Sequence, residues 1–138
     1  MQKDQITIHT DGGSRGNPGP AACAFVAEEN GKEIFRSSKY LRNTTNNFAE
    51  YSGVILALKW LNENKFKNTS VIFFLDSELV VKQINAIYKV KDKNLRNLFF
   101  ETLSLVKKLE NNIVFKHVPR EKNKIADLLV NVELDRNQ

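Results

Sequence analysis

Four of the chain's six glycines and two of its three prolines fall within nine residues, Gly12-Gly13-Ser14-Arg15-Gly16-Asn17-Pro18-Gly19-Pro20. Both residue types are poor inside regular elements, so the stretch reads as a loop. It is not a domain boundary, because periodic segments close in on either side. Before it, Gln5 to Asp11 alternates: Ile6 and Ile8 point one way, Thr7, His9 and Asp11 the other, as in a strand. After it, the apolar segment Ala21 to Glu28 reads as a buried strand. Glu29-Asn30-Gly31 places Asn-Gly in a hairpin position, and Lys32 to Ser38 pairs back. The start of the chain is therefore committed to a hairpin-built sheet.

Helical periodicity follows. Asn46 to Asn64 is the first helix, capped by Thr44, Thr45 or Asn46, with a stripe at Ala49, Gly53, Leu56, Ala57 and Trp60. Ser70 to Leu75 is a short apolar strand. Ser77 to Ala86 and Asn94 to Glu110 are helices, the second carrying Leu95, Leu98, Phe99, Thr102, Leu105, Val106 and Leu109 at the 3.6 period. Asn111-Asn112 ends it. Ile113 to Val118 is a strand, and Asn123 to Leu134 a last helix. The order β β β α β α α β α predicts an α/β fold, one mixed sheet with helices against it.

Composition narrows the function classes. A chain of 138 residues is expected to be a single domain, residues 1–138, burying roughly 65–70% of its unfolded surface. Hydrophobic residues at 41% and charged residues at 27% argue against collagen, disorder and low complexity. The longest apolar run, Ala21 to Ala27, is too short to cross a bilayer, so no membrane partner is expected. Met1 to Gln5 leads into no signal-like segment. One cysteine, Cys23, allows no internal disulfide; it reads as a small core residue in a reduced, cytoplasmic protein. A net charge of +5 weakly favours a polyanionic partner.

Four acids stand at element ends. Asp11 closes the first strand, Glu50 lies in the first turn of the first helix, Asp76 follows the strand Ser70 to Leu75, and Asp127 lies in the first turn of the last helix. Each has an ordinary explanation: a turn residue for Asp11, the helix dipole for Glu50 and Asp127, an N-cap for Asp76. If they converge at the strand ends, where open α/β sheets bind ligands, they need cations, and oxygen ligands suit Mg²⁺.

The words around these acids resemble type 1 ribonuclease H. They are Thr10-Asp11-Gly12-Gly13-Ser14-Arg15-Gly16-Asn17-Pro18-Gly19-Pro20-Ala21, Thr45-Asn46-Asn47-Phe48-Ala49-Glu50-Tyr51, Asp76-Ser77-Glu78-Leu79-Val80-Val81-Lys82-Gln83-Ile84-Asn85 and His117-Val118-Pro119-Arg120-Glu121-Lys122-Asn123-Lys124-Ile125-Ala126-Asp127. They fall in the family's order, and the compact bacterial and archaeal form is most resembled. The resemblance implies a ribonuclease H-like fold with a five-stranded mixed sheet, its first three strands antiparallel. It implies endonucleolytic hydrolysis of the RNA strand of RNA/DNA hybrids by two metal ions, Mg²⁺ with Mn²⁺ as a substitute, giving 3′-hydroxyl and 5′-phosphate ends. Asp11, Glu50, Asp76 and Asp127 fall on the family's metal-binding acids. His117 has the spacing of its catalytic histidine, with a capping role at the strand end as the alternative. Asn17, Asn46 and Asn47 match its minor-groove contacts, and Thr45 a DNA-phosphate contact. Gly12 and Gly13 would admit nucleic acid close to the backbone, and Arg120 would meet the scissile phosphate; turn glycines and a solvated arginine are the alternatives.

The chain departs from many family members in one respect. Ile87 to Leu95 is too short for their basic handle; Lys89, Lys91, Lys93 and Arg96 are expected to do part of its electrostatic work, with a solvated charge run as the alternative. Tyr88 reads as a half-buried aromatic or a stacking platform, and the valines of Leu128-Leu129-Val130-Asn131-Val132-Glu133-Leu134 stand where small residues are expected. A monomer is expected, and duplex RNA stays open as a second substrate. Competing readings are another two-metal nuclease, resolvase-like or integrase-like, and a non-catalytic nucleic-acid-binding module.

Overall fold

The computed structural model describes residues 5–66 and 69–138; the reading of Met1 to Asp4 lies outside these residues. Nine elements follow the expected order: β1 (Gln5–Ser14), β2 (Gly19–Glu29), β3 (Lys32–Thr44), α1 (Asn46–Glu63), β4 (Ser70–Leu75), α2 (Glu78–Ile84), α3 (Lys93–Lys108), β5 (Asn112–His117) and α4 (Lys124–Arg136). A 3₁₀ turn at Arg120–Lys122 leads into α4. The sheet order is β3-β2-β1-β4-β5. β1, β2 and β3 are antiparallel neighbours, while β4 runs parallel to β1 and β5 parallel to β4. This is the mixed five-stranded sheet expected.

The hairpin between β2 and β3 turns at Asn30 and Gly31, with φ of 51° and 85°. Two consecutive left-handed residues suit the strand twist, which is why Asn-Gly stands there. The Gly-rich stretch is less of a loop than its composition predicts. β1 continues through Gly12, Gly13 and Ser14, which face Cys23, Ala22 and Ala21 of β2. The reason is packing: a Cβ on Gly12 would overlap the backbone of Ala49 in α1. β3 also runs on to Thr44 rather than stopping at Ser38. It is an edge strand, mostly exposed, with register shifts between Ala21 and Ala22 and between Ala27 and Glu28. Its far half therefore carries no clean alternation.

Thr45 caps α1, its hydroxyl accepting the Phe48 N–H at 3.2 Å. α1 buries Tyr51, Val54, Ile55, Leu58 and Leu61 besides Ala49, Gly53 and Ala57. Its apolar face is wider than the sequence stripe, and Leu56 and Trp60 are only half-buried, because the helix is covered by the sheet and by α3. Asp92 caps α3 through the N–H groups of Asn94 and Leu95. The main core, with Ile6, Ile8, Phe25, Tyr51, Leu58 and Phe73, fills the face under α1, α2 and α3. On the opposite face α4 seats Val130 and Leu134 on Ala22 and Ala24. The small residues expected in α4 are thus supplied by β2, and Val132 faces solvent. Cys23 is fully buried, and burial pushes its thiol up to about 12, as a small core residue requires.

A Gly12→Ala substitution forces a methyl group into helix backbone that cannot rotate away. We expect it to cost about 3 kcal/mol or more, seen as a fall of roughly 10 °C in melting temperature by circular dichroism. Wild-type melting in Gly12→Ala would show that α1 does not depend on this contact.

Candidate metal centre

Each acid is delivered by a different element. Asp11 stands on β1 on the face shared with His9, opposite Ile8, and is 5% exposed. Glu50 projects from α1 and is 3% exposed; it lies past the first helical turn, so the helix-dipole reading fails for it. Asp76 is the residue after β4. It does not cap α2, because Ser77 does, its hydroxyl accepting the Val80 N–H. The parallel pairing of β1 with β4, Thr10 against Leu75, sets Asp76 next to Asp11. One carboxylate oxygen from each of Asp11, Glu50 and Asp76 lies within 4.8 Å of the others. Asp127, in the first turn of α4, lies outside that tight trio but lines the same cavity of about 350 Å³.

Burial pushes Asp11 up to about 7, with Asp76 adding to the rise. Burial, then the Asp11 charge, holds Glu50 well above the usual carboxylate range. The Gly12 N–H donates to Glu50 Oε1 at 3.3 Å, but Glu50 Oε2 is buried without a partner. The cations lining the cavity do not enter the trio. Arg15 binds Asp135 at 2.7 Å, and Arg120, 78% exposed, lies 3.5 Å from Asp127 at the mouth. Three converging carboxylates, two of them raised chiefly by burial, and an orphaned oxygen fit a hard divalent cation.

The remaining sequence-predicted residues fall into two groups. Gly12 lines the cavity and also lies beneath α1, whose backbone it admits at close range. Gly13 lines the cavity. Asn17, Thr45 and Asn46 form an exposed rim: Asn46 Oδ1 accepts the Ser14 N–H at 3.2 Å, and Asn17 Oδ1 accepts the Asn46 N–H at 3.0 Å. Asn47 is half-exposed beside them. His117 is not brought into the cavity. It is exposed at the end of β5, where it adds slightly to the lowering of the Glu78 carboxyl that Lys82 chiefly causes. Lys89, Lys91 and Lys93 are exposed, whereas Arg96 donates to the carbonyls of Val90 and Lys91 and ties down that connection. Tyr88 is more exposed than predicted, at 46%, with Lys82 over its ring. Sequence reasoning missed Asn123, whose side chain reaches Thr10 and Asp76 from the start of α4. Its one signal was a polar residue four positions before Asp127, which reads as a helix cap.

The model of the reverse transcriptase-like family matches residues 9–132. A bifunctional protein of Mycobacterium tuberculosis is 35% identical across 95% of this chain, which spans 36% of that protein's length. Ribonuclease HI of Halobacterium salinarum is 33% identical across 95% of this chain and 65% of its own. Among solved structures, LC11-RNase H1 in complex with an RNA/DNA hybrid superposes with a TM-score of 0.92 at 42% identity, over 96% of this chain and 98% of that one.

The cluster's protonation has a direct consequence for the metal-free protein. The folded state keeps a proton on Asp11 up to about 7, while an unfolded aspartate loses it near 4. Its contribution is thus fully present below about pH 4 and is lost as pH rises through 7. Asp11→Asn removes that loss. In EDTA, we expect Asp11→Asn to melt about 5 °C above wild type at pH 8 and to approach it at pH 4. The difference between the two proteins also cancels His9, whose burial lowers its pKa and acts in the opposite sense. A constant gap across this range would rule out a protonated Asp11.

Proposed function

This chain belongs to the reverse transcriptase-like family and, within it, to the type 1 ribonucleases H in their compact bacterial and archaeal form, and from that membership we propose that it hydrolyses the RNA strand of RNA/DNA hybrids. The reaction is endonucleolytic and leaves 3′-hydroxyl and 5′-phosphate ends. The observation that carries this reading is the meeting of Asp11, Glu50 and Asp76 in a cavity that Asp127 also lines. Those four residues would hold two Mg²⁺ ions, with Mn²⁺ as a substitute. Bound there, the ions supply the Lewis acidity for in-line displacement at phosphorus, favouring both the attacking water and the leaving 3′ oxygen.

The chain's own residues bind and orient the substrate. Arg120 at the mouth exchanges Asp127 for a phosphate oxygen. Asn17 and Asn46 use their carbonyl oxygens internally, which leaves their amide N–H groups for the 2′-hydroxyls and base edges of the minor groove. Thr45, Asn47 and Gly13 complete that rim, with Thr45 next to a DNA phosphate. Lys89, Lys91 and Lys93 take over part of the handle's attraction for the DNA strand. His117, at the end of the strand beside β4, serves proton transfer or product release from the edge of the site. All four acids come from one chain, which supports a monomer.

The test is a labelled RNA/DNA hybrid with Mg²⁺, run beside duplex DNA, duplex RNA and single-stranded RNA, with Asp11→Asn and EDTA controls. Cutting confined to the hybrid's RNA strand, and lost by about 10³-fold or more in Asp11→Asn, is expected. Cleavage that survives Asp11→Asn in a clean preparation would sink the four-acid mechanism; duplex RNA cutting would widen the substrate class. In the same assay His117→Ala should lower kcat about tenfold or more while leaving KM near wild type. An unchanged kcat would return His117 to a surface role.

A further inference from the structure

We propose that Asn123 is the positioning residue of the acidic cluster, its buried side-chain amide joining β1, β4 and α4, the three elements that bring Asp11, Asp76 and Asp127 to the cavity. The proposal rests on the reading of the cluster as a metal centre, and not on the identity of the substrate.

Asn123 is 1% exposed. Its Nδ2 donates to the Thr10 carbonyl, one residue before Asp11, at 2.8 Å, and to Asp76 Oδ2 at 3.3 Å. Both partners are acceptors, so the amide can face only one way. Its backbone carbonyl accepts the Asp127 N–H at 3.1 Å, closing the first turn of α4. One residue thus touches the backbone beside Asp11, the carboxylate of Asp76 and the backbone of Asp127.

The cap position makes the case against a merely structural role. Asn123 precedes α4, where an asparagine ordinarily uses Oδ1 to accept a helix N–H. Here it makes no side-chain cap bond, and Oδ1 is buried without a partner. A residue placed for helix stability would satisfy that oxygen; this one leaves it unpaired and commits its donors to the cluster. The need is electrostatic. Asp76 faces Asp11 and Glu50 with no cation between them among the described residues, and a freely rotating carboxylate would turn away. The Asn123 amide is the hydrogen bond that holds it among the described residues. Groups that orient a ligand in this way commonly change metal affinity tenfold or more when removed.

The experiment compares wild type with Asn123→Ala, Asn123→Asp and, as a stability control, Leu61→Ala in the core away from the cavity. Two quantities are read: the Mg²⁺ concentration at half-maximal thermal stabilisation without nucleic acid, and kcat and KM on the hybrid at saturating Mg²⁺. We expect Asn123→Ala to raise the Mg²⁺ midpoint about tenfold and to lower kcat more than it raises KM. Leu61→Ala should lower the melting temperature and leave the midpoint unchanged. Asn123→Asp keeps the volume but turns an acceptor toward two acceptors, so it should lose kcat at least as far as Asn123→Ala, and it carries the readout if the alanine variant does not fold. An unchanged midpoint and kcat in folded Asn123 variants overturns the proposal, as does an equal midpoint shift in Leu61→Ala. Because the melting readout contains no nucleic acid, it decides on Asn123 even if wild type leaves hybrids uncut.

Discussion

Everything in this structure depends on a backbone-to-backbone contact where α1 crosses β1. Gly12 on the strand and Gly53 on the helix each lack the atom that would hold the two apart. A Cβ on Gly12 would run into Ala49, and one on Gly53 would stand 2.8 Å from the Asp11 carbonyl oxygen. Interiors packed at crystal-like density cannot absorb that overlap. The close crossing lets Glu50, three residues before Gly53, reach the Gly12 N–H and meet Asp11. The main core then closes around the crossing through Ile6, Ile8, Val54 and Leu58.

Packing and charge are in conflict at this point. The same burial that stabilises the helix against the sheet removes water from Asp11 and Glu50, and the described residues supply no internal cation in return. Arg15 is committed to Asp135, and Arg120 stays at the mouth. Proteins break local rules of this kind at functional sites and compensate elsewhere. Here the compensation is the apolar face under α1, α2 and α3, rich in aromatic contacts such as Phe25 with Trp60 and Phe73 with Phe115.

How legible the sequence was depended on burial. β4 has the bounds that its apolar word predicts, because it is central and its burial alternates. β3 does not, because an exposed edge strand leaves no hydrophobic period to read. The four acids were legible as residues at element ends, but their meeting was not. It requires β4 to return beside β1, a long-range pairing that no local pattern encodes. The Gly-rich stretch misled for a physical reason: glycine marks close approach as well as turning, and at Gly12 it marks the former. Asn123 was hidden because a polar residue before a helix looks like a cap. His117 shows the converse, since a residue at the right spacing stands outside the cavity.

The two faces of the sheet are unequally fastened. Among the described residues no α4 residue belongs to the main core; the helix packs Val130 and Leu134 on Ala22 and Ala24, with Tyr40 and Leu129 beside them, and is tied further by polar links, among them Asn123 to β1 and Arg15 to Asn131. A segment fastened by this smaller cluster, outside the main core, is expected to open at lower free energy than the rest. Asp127 travels with it. The fourth carboxylate is therefore joined to the other three through a local folding equilibrium, so amide-exchange protection along α4 measures how often the centre is whole.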